Sequence, residues 1–235
     1  QDYGRMLQTY DQRVLRDGIT LKKISFKVPA TSAELVKAFE QAITPKTKLI
    51  HFSHITNLTG QIFPAKEICA MARAKGITTI VDGAHAYSHF PFKLTDFDCD
   101  FYGTSLHKWL LAPCGQGVFY VRKEHQDKLR PIALGWNNVR CPNYVAQDEL
   151  AYHSGARRFE AGTHNSVGLV GLKAAMDLLA DVGVDNIAAE LLRKRAWFVP
   201  ELQNKGWTVL NATAPAANCS GIISLTREAS DLPAI

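Results

Sequence analysis

TTIVDGAHAYSHFPFKLTDFDCDFYGTSLHKWLL, Thr78 to Leu111, is the stretch on which the fold turns. The apolar, β-branched run Ile77 to Val81 reads as a buried strand that delivers Asp82 at its carboxyl end. A second strand-like run, Cys99 to Gly103, delivers Ser105, His107 and Lys108. In a parallel α/β sheet, ligands sit outside the carboxyl ends of the strands. Two adjacent strands would therefore present a carboxylate and an amine to one crevice, although the two residues are 26 positions apart. A carboxylate suits a cationic heterocycle, and a lysine amine suits an aldehyde.

Outward from this stretch the pattern is strand and helix in alternation. Towards the N-terminus, Tyr3 to Arg16 reads as a helix closed by Asp17-Gly18, and Ile19 to Val28 as a strand with a slip at Lys22-Lys23. Thr31 to Glu34 has the capping-box pattern and opens a helix to about Ala42. Lys48 to Ser53 reads as a strand that ends in the loop His54 to Gly60. A helix is expected from Pro64 to just before Gly76. Strand, helix and strand in that order make a βαβ unit, hence a parallel sheet.

On the other side, Gly117 to Arg122 reads as a strand, followed by an irregular region from Pro131 to Gly155. Helices are expected over Asn165 to Val182 and Asp185 to about Asn204, with a kink or early end at Pro200. Trp207 to Leu210 and Gly221 to Leu225 read as the first strands of a smaller domain. The expected division is residues 1–182 for a large domain and 183–235 for the start of a small one.

Composition narrows the function. The chain is 46% apolar and 21% charged, which is ordinary for a globular protein. Its net charge of +5 is spread out, with no basic tract interleaved with aromatics, so nucleic acid is not an expected partner. No apolar run approaches bilayer length, so no membrane partner is expected either. The five cysteines (Cys69, Cys99, Cys114, Cys141, Cys219) are odd in number and lack CxxC spacing. They read as reduced thiols in a cytoplasmic setting rather than a disulfide framework or zinc site. His85 and His89 stand four apart, but Gly83 and Pro91 flank them and no HExxH context surrounds them. No metal is expected there or at His51 and His54.

Four motifs carry a family likeness: SHITNLTGQIFP (Ser53 to Pro64), VDGAHA (Val81 to Ala86), GTSLHKWLLAPCGQG (Gly103 to Gly117) and RFEAGTHN (Arg158 to Asn165). In their order and spacing the chain resembles the class V, fold-type I pyridoxal-phosphate (PLP) enzymes, the group of cysteine desulfurases and related aminotransferases. The closer likeness is to the isopenicillin-N-epimerase-like branch. The resemblance implies a three-layer α/β large domain with a mostly parallel sheet, the start of a small α+β domain, and more chain on both sides than is present. It implies PLP as cofactor and an amino acid or related amine as substrate, in aminotransferase or epimerase chemistry. C–S lyase or desulfurase activity, and a catalytically idle PLP-binding relative, are the alternatives. It also implies a homodimer with a shared active site.

Carried over residue by residue, the resemblance makes Lys108 the Schiff-base lysine, although alone it would read as a surface lysine. Asp82 would pair with the pyridinium nitrogen; otherwise it is a turn aspartate before Gly83. Ala84 would lie against the ring face, and His85 beside the phenolic oxygen. Asn57 would donate to that oxygen or to a substrate carboxylate. Ser105 and His107 would anchor the phosphate, and Thr163 would reach the phosphate of the neighbouring subunit. A helix cap is the competing reading for Thr163, and more so for Asn165. The aromatic or histidine that stacks on the ring is expected before Gln1, and the arginine for a substrate carboxylate past Ile235. Cys219 abuts a strand and reads as a packed thiol.

Overall fold

The computed structural model describes residues 2–140 and 151–226. Cys141, the middle of the irregular region and the chain after Thr226 lie outside them. A four-stranded sheet organises the body: β1 (Leu49–Ser53), β2 (Thr78–Asp82), β3 (Phe101–Ser105) and β4 (Gly117–Val121), side by side in that order. β1, β2 and β3 run parallel, while β4 returns antiparallel to β3. Both parallel pairings hold register at their carboxyl ends, with Ser53 beside Asp82 and Asp82 beside Gly103.

Side chains alternate across a strand, so each strand splits its residues between two faces. Ile50, Phe52, Val81 and Tyr102 take one face. There they join Leu35 and Phe39 of α2 (Ser32–Ala42) and Ile68, Cys69 and Ala72 of α3 (Ala65–Ala74) in the main core. The residues between them, His51, Ser53, Ile80, Asp82, Gly103 and Ser105, line a cavity with Tyr3 and Met6 of the N-terminal segment. Tyr3 is the N-cap of α1 (Gly4–Asp17) and Met6 lies in its first turn. A separate cluster joins Leu106, Leu110 and Ala112 to Ala175 and Leu179 of α5 (Ser166–Val182).

Local signals explain most of these elements. The Thr31 hydroxyl accepts from the Glu34 amide at 3.3 Å, and the Glu34 carboxylate accepts from the Thr31 amide at 2.8 Å. That reciprocal box is the one the sequence announces at the start of α2. Asn165 caps α5 by accepting from the Gly168 amide.

Five expectations need correction. Ile19 to Val28 forms no strand. Ile24 and Phe26 pack on the main core, but Lys22 and Lys23 turn to the Ala42 carbonyl and Asp11, and Ala30 is bonded by the Gln61 amide instead of a strand. The strand expected at Cys99 begins two residues later. Asp100 spends its carboxylate on the Thr79 amide at 2.8 Å and on His125, within a network that also holds Arg73, Asp98 and Arg122. Burial alone would raise the Asp100 pKa, but hydrogen bonds from Thr79 and His125 hold it below the usual carboxylate range.

Pro64 caps α3 and stands just outside it. The helix expected from Asp185 is α6 (Val184–Asn204), and it continues past Pro200 to Asn204. Buried Val199 and Leu202 pack there with Val209, which offsets the lost backbone bond. Of the two C-terminal strands, β5 (Thr208–Val209) lies within the expected Trp207 to Leu210, but β6 is Leu225–Thr226, so Gly221 to Ser224 form no strand, and the two pair over two residues each.

In the irregular region, the fully buried Asn138 holds its own loop, donating to the Ala133 carbonyl and accepting from the Gly135 amide. No helix among the described residues is long and apolar enough to cross a membrane.

Candidate active site

Asp82, Ala84, His85, Ser105, Lys108 and Asn57 all line one cavity of about 510 Å³ at the carboxyl ends of β1, β2 and β3. Asp82 ends β2, and the chain must turn at once. The Gly83 amide donates to the Gly103 carbonyl at 2.7 Å, and the Thr104 hydroxyl donates to the Gly83 carbonyl at 3.2 Å. Only glycine fits, because a Cβ at position 83 would stand 2.1 Å from the buried Tyr102 ring. The Ala84 amide donates to Asp82 Oδ1 at 2.8 Å. Among the described residues no protein group donates to Asp82 Oδ2.

Lys108 follows β3 by three residues, and its Nζ lies 3.0 Å from His85 Nε2. The Trp109 indole donates to the other nitrogen, His85 Nδ1, at 3.2 Å. Burial, and then the positive Lys108, push the His85 pKa below the ordinary imidazole value.

The loop that carries Asn57 is held from far along the chain. The Ser220 hydroxyl donates to the Gly60 carbonyl at 2.7 Å, Asn218 donates to the Ile62 carbonyl at 2.9 Å, and Asn211 donates to the Thr59 carbonyl. Gly60 has φ +66°, and a Cβ there would stand 2.4 Å from the Ile222 carbonyl oxygen, so the close approach requires glycine.

His107 and Thr163 do not line the cavity, and both are exposed. The sequence reading missed Tyr3, Met6, His51 and Ser53. The Tyr3 ring centre lies 5.7 Å from Lys108 Nζ. Met6, three residues on, shares its helix face with Tyr3. That spacing was readable, but nothing local shows that this face closes a cavity. Asp2 anchors the segment, accepting from the Ser53 hydroxyl at 2.6 Å and pairing with His51 at 3.1 Å. Burial opposes the Asp2 charge, but the His51 and Ser53 hydrogen bonds prevail and lower its pKa.

Two further histidines back the site. His54 is buried among Phe90, Phe92 and Phe97 with Nδ1 3.1 Å from the Tyr102 hydroxyl, and burial drives its pKa down to about 3. His89 is buried, accepts from the Gly221 amide at 2.8 Å, and is pushed by burial to about 4. Both imidazoles take up a proton when unfolded, near about pH 6.5, and resist it when folded. Their stabilisation is complete above that pH and is lost as pH falls towards the folded values. Between about pH 6.5 and about pH 4.5, above most carboxylate titration, unfolding free energy should fall by up to about 1.4 kcal/mol per pH unit for each histidine. Denaturant unfolding across this window checks it, and His89→Gln should flatten the slope by one proton. A flat wild-type profile would contradict the assignment.

The donor set fits a heteroaromatic aldehyde bearing a phosphate. It offers an acid with one oxygen that no described residue claims, an amine, a hydroxyl at Ser105, and a floor opened by Gly103 and Ala84. A mostly parallel sheet that brings an acid and a lysine to one cavity at its strand ends is an α/β arrangement suited to carrying such a group. The profile of the aminotransferase class-V family matches residues 11–232, and the chain belongs to that family, one of PLP-dependent enzymes.

Isopenicillin N epimerase of Streptomyces clavuligerus is 35% identical over 193 residues, which cover 80% of this chain and 48% of the relative. A probable cysteine desulfurase of Xylella fastidiosa is 34% identical over 191 residues, 81% of this chain and 44% of that protein. The chain thus spans about half the length of these curated relatives. Among solved structures, a C-DES variant with glycine covalently linked to its PLP cofactor superimposes with a TM-score of 0.86 at 24% identity. The overlap covers 97% of this chain and 59% of that one, and at this identity it speaks for the fold alone, PLP fold type I.

Proposed function

We propose that the whole protein is a PLP-dependent enzyme acting on an amino acid or related primary amine, in epimerase or aminotransferase chemistry. The observation that carries this reading is that Asp82 and Lys108 line one cavity while Asp82 Oδ2 has no protein donor among the described residues. When bound, PLP supplies an electron sink for bond breaking at the substrate α-carbon.

The chain's own residues divide the work. Asp82 would hold a proton on the ring nitrogen through Oδ2, the oxygen that no described residue claims. Lys108 would be the residue that attaches the aldehyde, and its amine is the group placed to carry a proton to or from a substrate α-carbon. His85 Nε2 faces the same end of the cavity as Lys108 and serves the phenolic oxygen. Ser105 would anchor phosphate, Ala84 and Tyr3 would flank the ring, and Asn57 would reach the phenolic oxygen or a substrate carboxylate. His107, exposed outside the cavity wall, is assigned to the outer side of the phosphate.

The test is spectroscopic. PLP added to full-length protein should produce a visible absorption band that borohydride bleaches, and saturating PLP without such a band would end the reading. C–S bond cleavage is the second reading, supported by the relative named cysteine desulfurase. Sulfide or persulfide release from cysteine, with no racemisation or amino transfer, would select it.

A homodimer with a shared site is inferred from Thr163, which is exposed beyond the cavity next to the Asn165 cap of α5. A single-chain mass by light scattering would remove that inference. A cytoplasmic location is inferred from the scattered cysteines, of which Cys69, Cys99, Cys114 and Cys219 are free thiols. Recovery of the protein in a secreted fraction would contradict it.

A further inference from the structure

Trp109 has no place in the reading above, yet it touches the site from behind. Its indole N–H donates to His85 Nδ1 at 3.2 Å, and its ring lies against His89 with centroids 3.8 Å apart. His89 is fixed in turn, accepting the Gly221 amide at 2.8 Å. The back of Trp109 is thus held by a residue bonded to the C-terminal segment, and its N–H meets the imidazole that faces Lys108.

An indole nitrogen is a donor only. His85 Nδ1 must therefore be the acceptor, and in a neutral imidazole the proton then resides on Nε2. Nε2 lies 3.0 Å from Lys108 Nζ. With the proton on Nε2 the imidazole is the donor on that line, which a lysine can meet only as the neutral amine, the form that attacks a carbonyl, because an ammonium has no acceptor. Without the indole, either nitrogen of His85 could carry the proton, and the Nδ1–H form would offer the cavity a bare acceptor.

We propose that Trp109 is a positioning residue that locks His85 in the Nε2–H tautomer, so that a donor faces Lys108 and the phenolic oxygen of a bound PLP ring. The lock itself is a property of the protein alone. Only its consequence for the phenolic oxygen rests on the PLP reading.

The experiment uses full-length protein with 15N-labelled histidine, with and without added PLP. Long-range proton–nitrogen NMR assigns the His85 tautomer in wild type and in Trp109→Phe, which keeps a ring against His89 and removes the N–H. Wild type should show the proton on Nε2. In the Phe variant the tautomer ratio should shift towards Nδ1–H by about fivefold, as expected for one net hydrogen bond, with the unfolding midpoint little changed. PLP attachment, followed as growth of the borohydride-sensitive band, should slow by a similar factor.

A wild-type His85 protonated on Nδ1, or a ratio unmoved in Trp109→Phe, overturns the proposal. Should the Phe variant fail to fold, the wild-type spectrum still decides, since an Nδ1–H His85 is sufficient to refute it. If no band forms with PLP in wild type, the cofactor reading falls, while the tautomer measured without PLP judges the lock separately.

Discussion

Full-length protein carrying Lys108→Ala should fold, bind PLP without forming the borohydride-sensitive band, and lose turnover by on the order of a thousandfold or more. The fold should survive because Lys108 belongs to none of the three apolar clusters. Among the described residues its polar contacts are a hydrogen bond with His85 and a cation–π approach to Tyr3. A half-buried side chain with so few partners should change stability by no more than about 1 kcal/mol when truncated. A small primary amine such as methylamine should restore part of the activity, because what is missing is an amine at a defined place. Turnover near the wild-type level, with native unfolding, would remove Lys108 from the chemistry.

Asp82→Asn should produce the second largest loss, and it separates charge from shape. The asparagine oxygen can still accept from the Ala84 amide, so the turn at Gly83 keeps its support. What disappears is the anion, and with it the proton it would hold on a ring nitrogen. Removing one partner of such a charged pair costs about 3–4 kcal/mol, or about 10²- to 10³-fold in turnover. Steady-state rates with saturating PLP measure this. Activity within about twofold of wild type would show that Asp82 is only the turn residue that follows a strand.

That these two residues stand at neighbouring strand ends was legible before any coordinates, because strand-end signals are local, whereas only the family likeness raised Lys108 above a surface lysine. A β-branched run followed by Asp82-Gly83-Ala84, and a second run followed by Ser105 and Lys108, identify two strand ends and their polar cargo. The capping box at Thr31 and Glu34, the cap at Asn165 and the breaks after α1 and α5 are of the same kind. Each depends on a few neighbouring residues, and backbone propensity acts at that range.

Where local signals compete with packing, the sequence misleads. Ile19 to Val28 has an acceptable strand pattern, but Ile24 and Phe26 are used against the core, and just beyond it the Ala30 backbone is met by the Gln61 side chain. Pro200 is a strong break signal, and burial of Val199 and Leu202 outweighs it.

From the sequence alone, then, come the parallel α/β plan, the strand ends that carry Asp82 and Lys108, and the family likeness that gives them their proposed roles. The tertiary structure decided which face of the sheet is hollow, that α1 lays Tyr3 and Met6 over it, and that Ser220, Asn218 and Asn211 hold the loop of Asn57. It also decided that Trp109 meets His85. The reason is range: caps and turns form between residues a few positions apart, whereas Ser220 and Gly60 meet across 160 positions. Contacts of that kind follow only from how whole elements bury their apolar faces together.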